Sequence, residues 1–180
     1  GEVLQLECKG EIDMLEETYF NIINMKTATL FAAATRVGAC IGNKSKKEKD
    51  ALESYGKNLG LAFQIADDAL DYFSNKTIFG KEIGKDFYEG KTTLPLIIIF
   101  QKANNEEKDF LKEIFKKEKR NEDDFSETLA LINKYKAIQA SFKRAEYFVN
   151  VSYDALGIFE DSENKKILQN LTGFSLNRSF

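Results

Sequence analysis

Apolar residues recur three and four positions apart along nearly the whole chain, which is the spacing of amphipathic α-helices. Turn clusters are few, and Pro95 is the one proline. The pattern therefore predicts an all-α fold. The predicted helices cover residues 1–8, 15–41, 48–74, a segment that begins at Pro95, the stretch FLKEIF within 104–124, and residues 126–156 and 161–173. Thr92 or Thr93 is expected to cap the helix at Pro95, because proline suits a first turn. No repeat or linker is evident, so residues 1–180 are interpreted as a single domain.

The predicted helix across residues 59–75 carries a narrow polar face. On a helical wheel, its polar and glycine positions fall within about 100° of arc. These positions are Gly60, Gln64, Asp67, Asp68, Asp71 and Asn75. A surface helix normally has a wide polar face instead. This helix is therefore expected to be mainly enclosed, with its polar face lining a cavity; an acidic face open to solvent is the alternative.

Asp67, Asp68 and Asp71 form what we call the acidic stripe. Three carboxylates in a partly dry site repel one another, and no basic residue lies within the stripe, so cations are required. Histidine is absent from the chain, which rules out imidazole as a metal ligand, and the side chains of the stripe offer oxygen atoms. Oxygen ligands suit hard divalent ions, and Mg²⁺ typically takes one or two carboxylates together with substrate phosphates.

A cationic segment follows the stripe. Residues 80–95 read GKEIGKDFYEGKTTLP, in which Lys81, Lys85 and Lys91 alternate with glycines. Lysine is a compact charge that suits phosphate oxygens, and glycine lets the backbone bend closely around a ligand. A diphosphate is the ligand that this combination favours; a solvated lysine-rich loop is the alternative. Lys26, among apolar and small residues, either extends to solvent or points into the same cavity.

The charge balance, the apolar runs and the cysteines exclude some classes of function. The 26 basic and 29 acidic residues give a net charge of −3, which does not support general nucleic-acid binding. The longest apolar run, LPLIIIF at 94–100, is too short for a transmembrane segment. Cys8 and Cys40 lack metal-binding spacing, so free thiols in a reducing cytoplasm are expected.

Several segments together resemble the trans-isoprenyl diphosphate synthases, the polyprenyl synthetase family. GLAFQIADDALD resembles the second aspartate-rich motif of the family, and GKEIGKDFYEGKTTLP resembles its lysine-bearing segment. GEVLQL and KTATLFAAATRVGA resemble its central helices, and the stretch from LQNLTGF to NRSF resembles its C-terminus. The resemblance is nearest to the long-chain bacterial type, the octaprenyl and decaprenyl diphosphate synthases. It implies an isoprenoid synthase-type helical bundle around a central cavity.

The resemblance also implies an activity. Family members are prenyltransferases that condense isopentenyl diphosphate with an allylic diphosphate to make a trans-polyprenyl diphosphate, here for quinone side chains. Mg²⁺ is the implied cofactor, with Mn²⁺ able to substitute. A homodimer is expected, because family members are usually homodimers. A cytoplasmic location is expected as well, with loose membrane association through the lipid product as a further option.

The resemblance also implies a role for each residue that matches a functional position of the family. The resemblance implies that Asp67 and Asp71 bind Mg²⁺, that Asp68 assists them, and that Asp86 supports the metal cluster from behind its ligands. The residues implied to be catalytic are Lys26, Thr27, Gln64 and Lys81. The residues implied to bind substrate are Lys26, Lys81 and, less directly, Lys91 at the allylic diphosphate, Thr27 and Gln64 at the reacting ends, and Phe63 at the isopentenyl unit.

The chain departs from the family pattern in one respect. The first aspartate-rich motif, and the basic residues that bind isopentenyl diphosphate, would precede GEVLQL. Glu122, Asp123 and Asp124 do not replace that motif, because they lie in the wrong order and in a charged segment expected to be solvated. The chain is therefore expected to be a C-terminal portion that lacks the N-terminal helices of the bundle. On its own it is expected to be inactive, and its product length is not readable.

Two other functions are compatible with the same fold. A non-catalytic partner subunit would share it, but such subunits usually lose their aspartates, whereas the acidic stripe is intact here. A metal-dependent terpene cyclase would also ionise a diphosphate. Its second metal motif is usually an Asn/Asp–Ser/Thr–Glu pattern on another helix, which the sequence does not contain.

Overall fold

The computed structural model describes residues 1–73 and 83–177, and only the backbone for residues 174–177. Within these ranges the chain is helical and has no strand, which confirms the all-α prediction. The helices are α1 (Glu2–Glu7), α2 (Glu16–Ile23), α3 (Thr29–Ile41), α4 (Lys46–Leu70), α5 (Lys85–Glu89), α6 (Leu94–Lys102), α7 (Asn105–Lys116), α8 (Glu122–Lys134), α9 (Ala137–Ala155) and α10 (Glu163–Asn177). A π-helical turn, Asn24–Ala28, joins α2 to α3, and a 3₁₀ turn, Leu156–Ile158, follows α9.

The described residues form two compact units. The first contains Gly1, residues 23–66 and the described residues from 142 onward. Its core includes Tyr55, Leu59 and Leu156. The buried Tyr55 hydroxyl donates a hydrogen bond to the carbonyl oxygen of Leu168 at 2.9 Å, which ties α4 to α10.

Two helical segments of the first unit approach each other closely at Gly60. A Cβ at this position would lie 2.7 Å from Ala28 Cα and 3.2 Å from Phe31 Cβ, so only glycine fits without displacement. Ala32 and Ala39 of α3 are also buried. The buried small residues of this stretch therefore pack inside the first unit.

The second unit contains residues 2–22 and the described residues of 67–141. Helix α6 is buried along its first six residues, which explains its continuous apolar run. Phe87 of α5 packs against Phe115 of α7 and Phe125 of α8, with ring centroids 5.8 and 5.4 Å away. The Arg120 guanidinium lies 4.7 Å from the centroid of the Phe115 ring, which completes an aromatic cluster beside α5.

The single helix predicted over 126–156 is wrong. Helix α8 ends at Lys134 and α9 begins at Ala137, with Lys136 between them in a left-handed conformation (φ 52°). Helix α8 also begins earlier than predicted, because the Asn121 side chain accepts from the Asp124 backbone and the Asp124 side chain accepts in return. Asp124 is buried and paired with Lys117 at 2.6 Å, so the expectation of a solvated position was wrong for this residue.

Helix α4 ends at Leu70 rather than near residue 74. Helix α6 begins at Leu94 with Pro95 in its first turn; Thr93 occupies the N-cap position, but its side chain makes no capping hydrogen bond. Cys8 and Cys40 are both free thiols, as expected. Within the described ranges, none of the helices combines the length and apolar character needed to cross a membrane.

Candidate functional site

The acidic stripe lies at the C-terminal end of α4 and is not turned out into bulk solvent. Asp68 is buried, with 6% of its surface exposed, and Asp67 and Asp71 are half-buried. Although α4 ends at Leu70, the Asp71 backbone N–H still donates to the Asp67 carbonyl, so the three side chains keep their one-turn spacing. Partial burial strengthens the repulsion among their charges and so favours a bound cation.

Asp68 is held by a tyrosine that the sequence analysis did not single out. The Tyr19 hydroxyl donates to Asp68 Oδ2 at 2.7 Å, and this hydrogen bond is buried. Burial, and then the negative charge of Asp68, raises the pKa of Tyr19 well above its usual value. Tyr19 therefore stays a protonated donor at neutral pH.

Asp71 is fixed by the start of α5. Its Oδ2 accepts from the Asp86 backbone N–H at 2.9 Å, and its Oδ1 accepts from the Lys85 backbone N–H at 3.2 Å. Gly84, at φ 78°, lets the chain turn into α5 and donates its own N–H to the Asp71 carbonyl at 2.8 Å. Even so, burial and the nearby Asp86 charge raise the pKa of Asp71 to about 6. The position is short of positive charge, which a divalent ion would supply.

Asp86 and Lys91 form an ion pair next to this junction. Lys91 Nζ lies 2.8 Å from Asp86 Oδ1 and 2.6 Å from Glu89 Oε2. Burial acts to lower the pKa of Lys91, but the hydrogen bonds to Asp86 and Glu89 outweigh it and raise the pKa above its usual value. Lys91 therefore remains cationic beside the stripe, with its charge shared between two carboxylates.

Asp67 is the member of the stripe that is open to a ligand. Within the described ranges its carboxylate makes no hydrogen bond or ion pair. Over the same residues, no group of three or more histidine, cysteine, aspartate or glutamate side chains is arranged to hold a metal ion. Asp67, with Asp68 behind it, fits the demand of Mg²⁺ for one or two carboxylates completed by water and phosphate oxygens.

The predicted substrate residues of the first unit are partly brought together. The Thr27 hydroxyl donates to Gln64 Oε1 at 2.8 Å, which links the π-helical turn to α4. Lys26 lies in the same π-helical turn, a kind of irregularity found frequently at functional sites. Phe63 is half-buried, with its ring centroid 5.8 Å from that of Phe31. Lys81 lies outside the described residues.

The comparisons with known proteins agree with the sequence resemblance. The family model described as polyprenyl synthetase matches residues 1–132. The chain belongs to the polyprenyl synthetase family.

Several curated relatives of the chain are isoprenyl diphosphate synthases. It is 33% identical to the octaprenyl diphosphate synthase of Haemophilus influenzae over all of its length and 54% of that protein. It is 34% identical to a short chain isoprenyl diphosphate synthase of Methanothermobacter thermautotrophicus, over 99% of this chain and 54% of the other. The chain thus spans about half the length of these curated relatives.

A solved structure shows the same fold. The polyprenyl synthase from Caulobacter crescentus, complexed with calcium and isoprenyl diphosphate, superposes with a TM-score of 0.93 at 36% identity. The match covers 99% of this chain and 55% of the other. The prediction of an isoprenoid synthase-type helical fold is therefore confirmed, and the relatives named here are prenyltransferases.

Proposed function

We propose that the protein containing this chain condenses isopentenyl diphosphate with an allylic diphosphate to make a trans-polyprenyl diphosphate. The observation that carries the proposal is the half-buried acidic stripe at the end of α4, anchored at Asp71 by backbone amides and open at Asp67. The family membership supports it, as does a relative that holds both a divalent cation and an isoprenyl diphosphate.

In this proposal the three aspartates have different tasks. Asp67 and Asp71 bind Mg²⁺ and Asp68 assists them; Tyr19 orients Asp68, and the N–H groups at the start of α5 hold Asp71 in place. When bound, Mg²⁺, or Mn²⁺ in its place, neutralises the charge that develops on the leaving diphosphate. Asp86 does not bind the metal directly but stabilises the metal site, since its backbone N–H donates to Asp71 and its carboxylate accepts from Lys91.

The cationic and polar residues hold the substrates. Lys26 and Lys81 contact the allylic diphosphate, whereas Lys91 acts less directly, because its ammonium is already paired with two carboxylates. Thr27 and Gln64 line the reacting ends, where their mutual hydrogen bond fixes the Gln64 amide. Phe63 offers an apolar surface to the isopentenyl unit.

The isolated 180 residues are expected not to catalyse condensation. Their described carboxylates provide only part of a metal site, and the first aspartate-rich motif is expected in a segment that precedes GEVLQL. The product is proposed to serve as a quinone side chain. We also propose a cytoplasmic homodimer; exposed apolar residues along one side of α3, at Leu30, Val37 and Ile41, support pairing through that helix.

The test is Asp67→Ala in the complete product of the gene, assayed for incorporation of labelled isopentenyl diphosphate with Mg²⁺. Losing a metal anchor for the leaving group should lower turnover by several powers of ten, at tenfold per about 1.4 kcal/mol of barrier. Asp109→Ala, at an exposed position of α7, is the matched control and should keep wild-type activity. Both variants should retain the circular dichroism and melting temperature of the wild type.

Wild-type-like turnover by the Asp67→Ala protein would rule out the metal assignment. Polyprenyl product from the isolated 180 residues would rule out the expected need for an upstream segment. Cyclic hydrocarbon formed from an allylic diphosphate alone would point to a cyclase instead.

A further inference from the structure

We propose that Tyr19 is a positioning residue for the acidic stripe: its hydroxyl holds Asp68 in the orientation in which Asp67 and Asp68 together bind a divalent cation. This inference rests on the proposed function, because it concerns the same metal site. It concerns a residue of α2, far from the stripe in sequence, that the motif itself does not include.

The geometry of the contact is that of a strong hydrogen bond. The two oxygen atoms are 2.7 Å apart, and Tyr19 and Asp68 are 2% and 6% exposed. Hydrogen bonds from a hydroxyl to a carboxylate are roughly twice as strong as those between neutral groups. The Tyr19 ring is held in turn by an edge contact with Phe20, whose centroid is 5.5 Å away. The donor is therefore fixed before any ligand arrives.

The hydrogen bond also restrains the Asp68 carboxylate. The phenol of Tyr19 satisfies one oxygen of Asp68 and limits the rotation of its side chain. Partners of this kind typically change metal affinity by 10- to 100-fold when removed.

The experiment measures cation binding rather than turnover. Mn²⁺ is titrated into the complete protein in the presence of inorganic pyrophosphate, and free Mn²⁺ is followed by electron paramagnetic resonance. Tyr19→Phe should weaken Mn²⁺ binding by about 10-fold or more. Tyr55→Phe is the matched control, because Tyr55 is an equally buried tyrosine whose hydroxyl donates to a backbone carbonyl in the other unit. That variant should lose a hydrogen bond but bind Mn²⁺ like the wild type.

A second variant tests whether Tyr19 acts through Asp68. In an Asp68→Asn background, Tyr19→Phe should produce little further loss of Mn²⁺ affinity. A full additional loss there would overturn the inference, as would wild-type affinity in Tyr19→Phe or an equal loss in Tyr55→Phe. If the wild type itself fails to bind Mn²⁺ with pyrophosphate, the proposed function fails first and this inference falls with it.

A spectroscopic measurement covers the case in which Tyr19→Phe does not fold. 3-Fluorotyrosine is placed at position 19, and in a separate sample at position 55, with the hydroxyl retained. The fluorine resonance at position 19 should shift on saturation with Mg²⁺ and pyrophosphate, while that at position 55 should stay unchanged. A resonance at position 19 that does not move under saturation would contradict the proposed link.

Discussion

Gly60 offers a direct test of how the first unit is packed, because α4 and the π-helical turn approach each other closely at this residue. The perturbation is Gly60→Ala, which adds one methyl group 2.7 Å from Ala28 Cα and 3.2 Å from Phe31 Cβ. Carbon atoms pack at about 3.5–4.0 Å. The two segments must therefore separate by nearly 1 Å, and the nearest atom belongs to backbone, which does not rotate away.

The expected magnitude is the difference between two terms. Inserting a methyl group into a packed interior costs about 1–3 kcal/mol. Replacing glycine inside a helix by alanine returns about 0.5–1 kcal/mol. Taking the middle of each range, Gly60→Ala should therefore lower the free energy of unfolding by about 1 kcal/mol, or the melting temperature by about 2–4 °C for a chain of this length. The Thr27–Gln64 hydrogen bond, next to this contact in sequence, should weaken as well.

The matched control is Gly38→Ala. Gly38 lies inside α3, and a Cβ there would have no neighbour within 4 Å, so only the helical term applies. This variant should be more stable than the wild type by about 0.5–1 kcal/mol. Thermal denaturation followed by circular dichroism measures both variants. A Gly60→Ala protein that melts at or above the Gly38→Ala protein would refute the close packing described here.

Two further predictions concern pH and assembly. Hydrogen bonds from Lys134, Tyr135 and a backbone N–H lower the pKa of Glu107 from 4.5 to about 2, so they stabilise the fold above pH 4.5 and are lost as pH falls toward 2. Glu107→Gln should lower the melting temperature at pH 7, with a difference from the wild type that narrows below pH 4.5. Val37→Lys, on the same side of α3 as the exposed Leu30, should convert the proposed homodimer to a monomer in light scattering after size-exclusion chromatography; an unchanged mass would exclude this face.

The period of apolar residues was enough to predict the helices, because most of them bury one stripe of side chains. It was not enough to place their ends. The break between α8 and α9 occurs at Lys136, a residue with no turn signature, and its left-handed backbone became apparent only in the structure. The early start of α8 depends on a capping box in the segment NEDDF, whose charges had been interpreted as solvated. Local hydrogen bonds, rather than hydrophobic period, determine these boundaries.

In the candidate site, too, local spacing was predictable from the sequence, whereas contacts between distant residues were not. The spacing of Asp67, Asp68 and Asp71 follows from helical geometry and was readable from the sequence. Their unequal environments come from partners on other elements: Tyr19 for Asp68, and the amides at the start of α5 for Asp71. Such contacts join residues 14 to 49 positions apart, and no periodicity reports them. Tyr19 was not singled out from the sequence for this reason, although it contacts the stripe directly. Because two of the three aspartates are already held by the protein, substituting Asp67 should affect cation binding most and folding least.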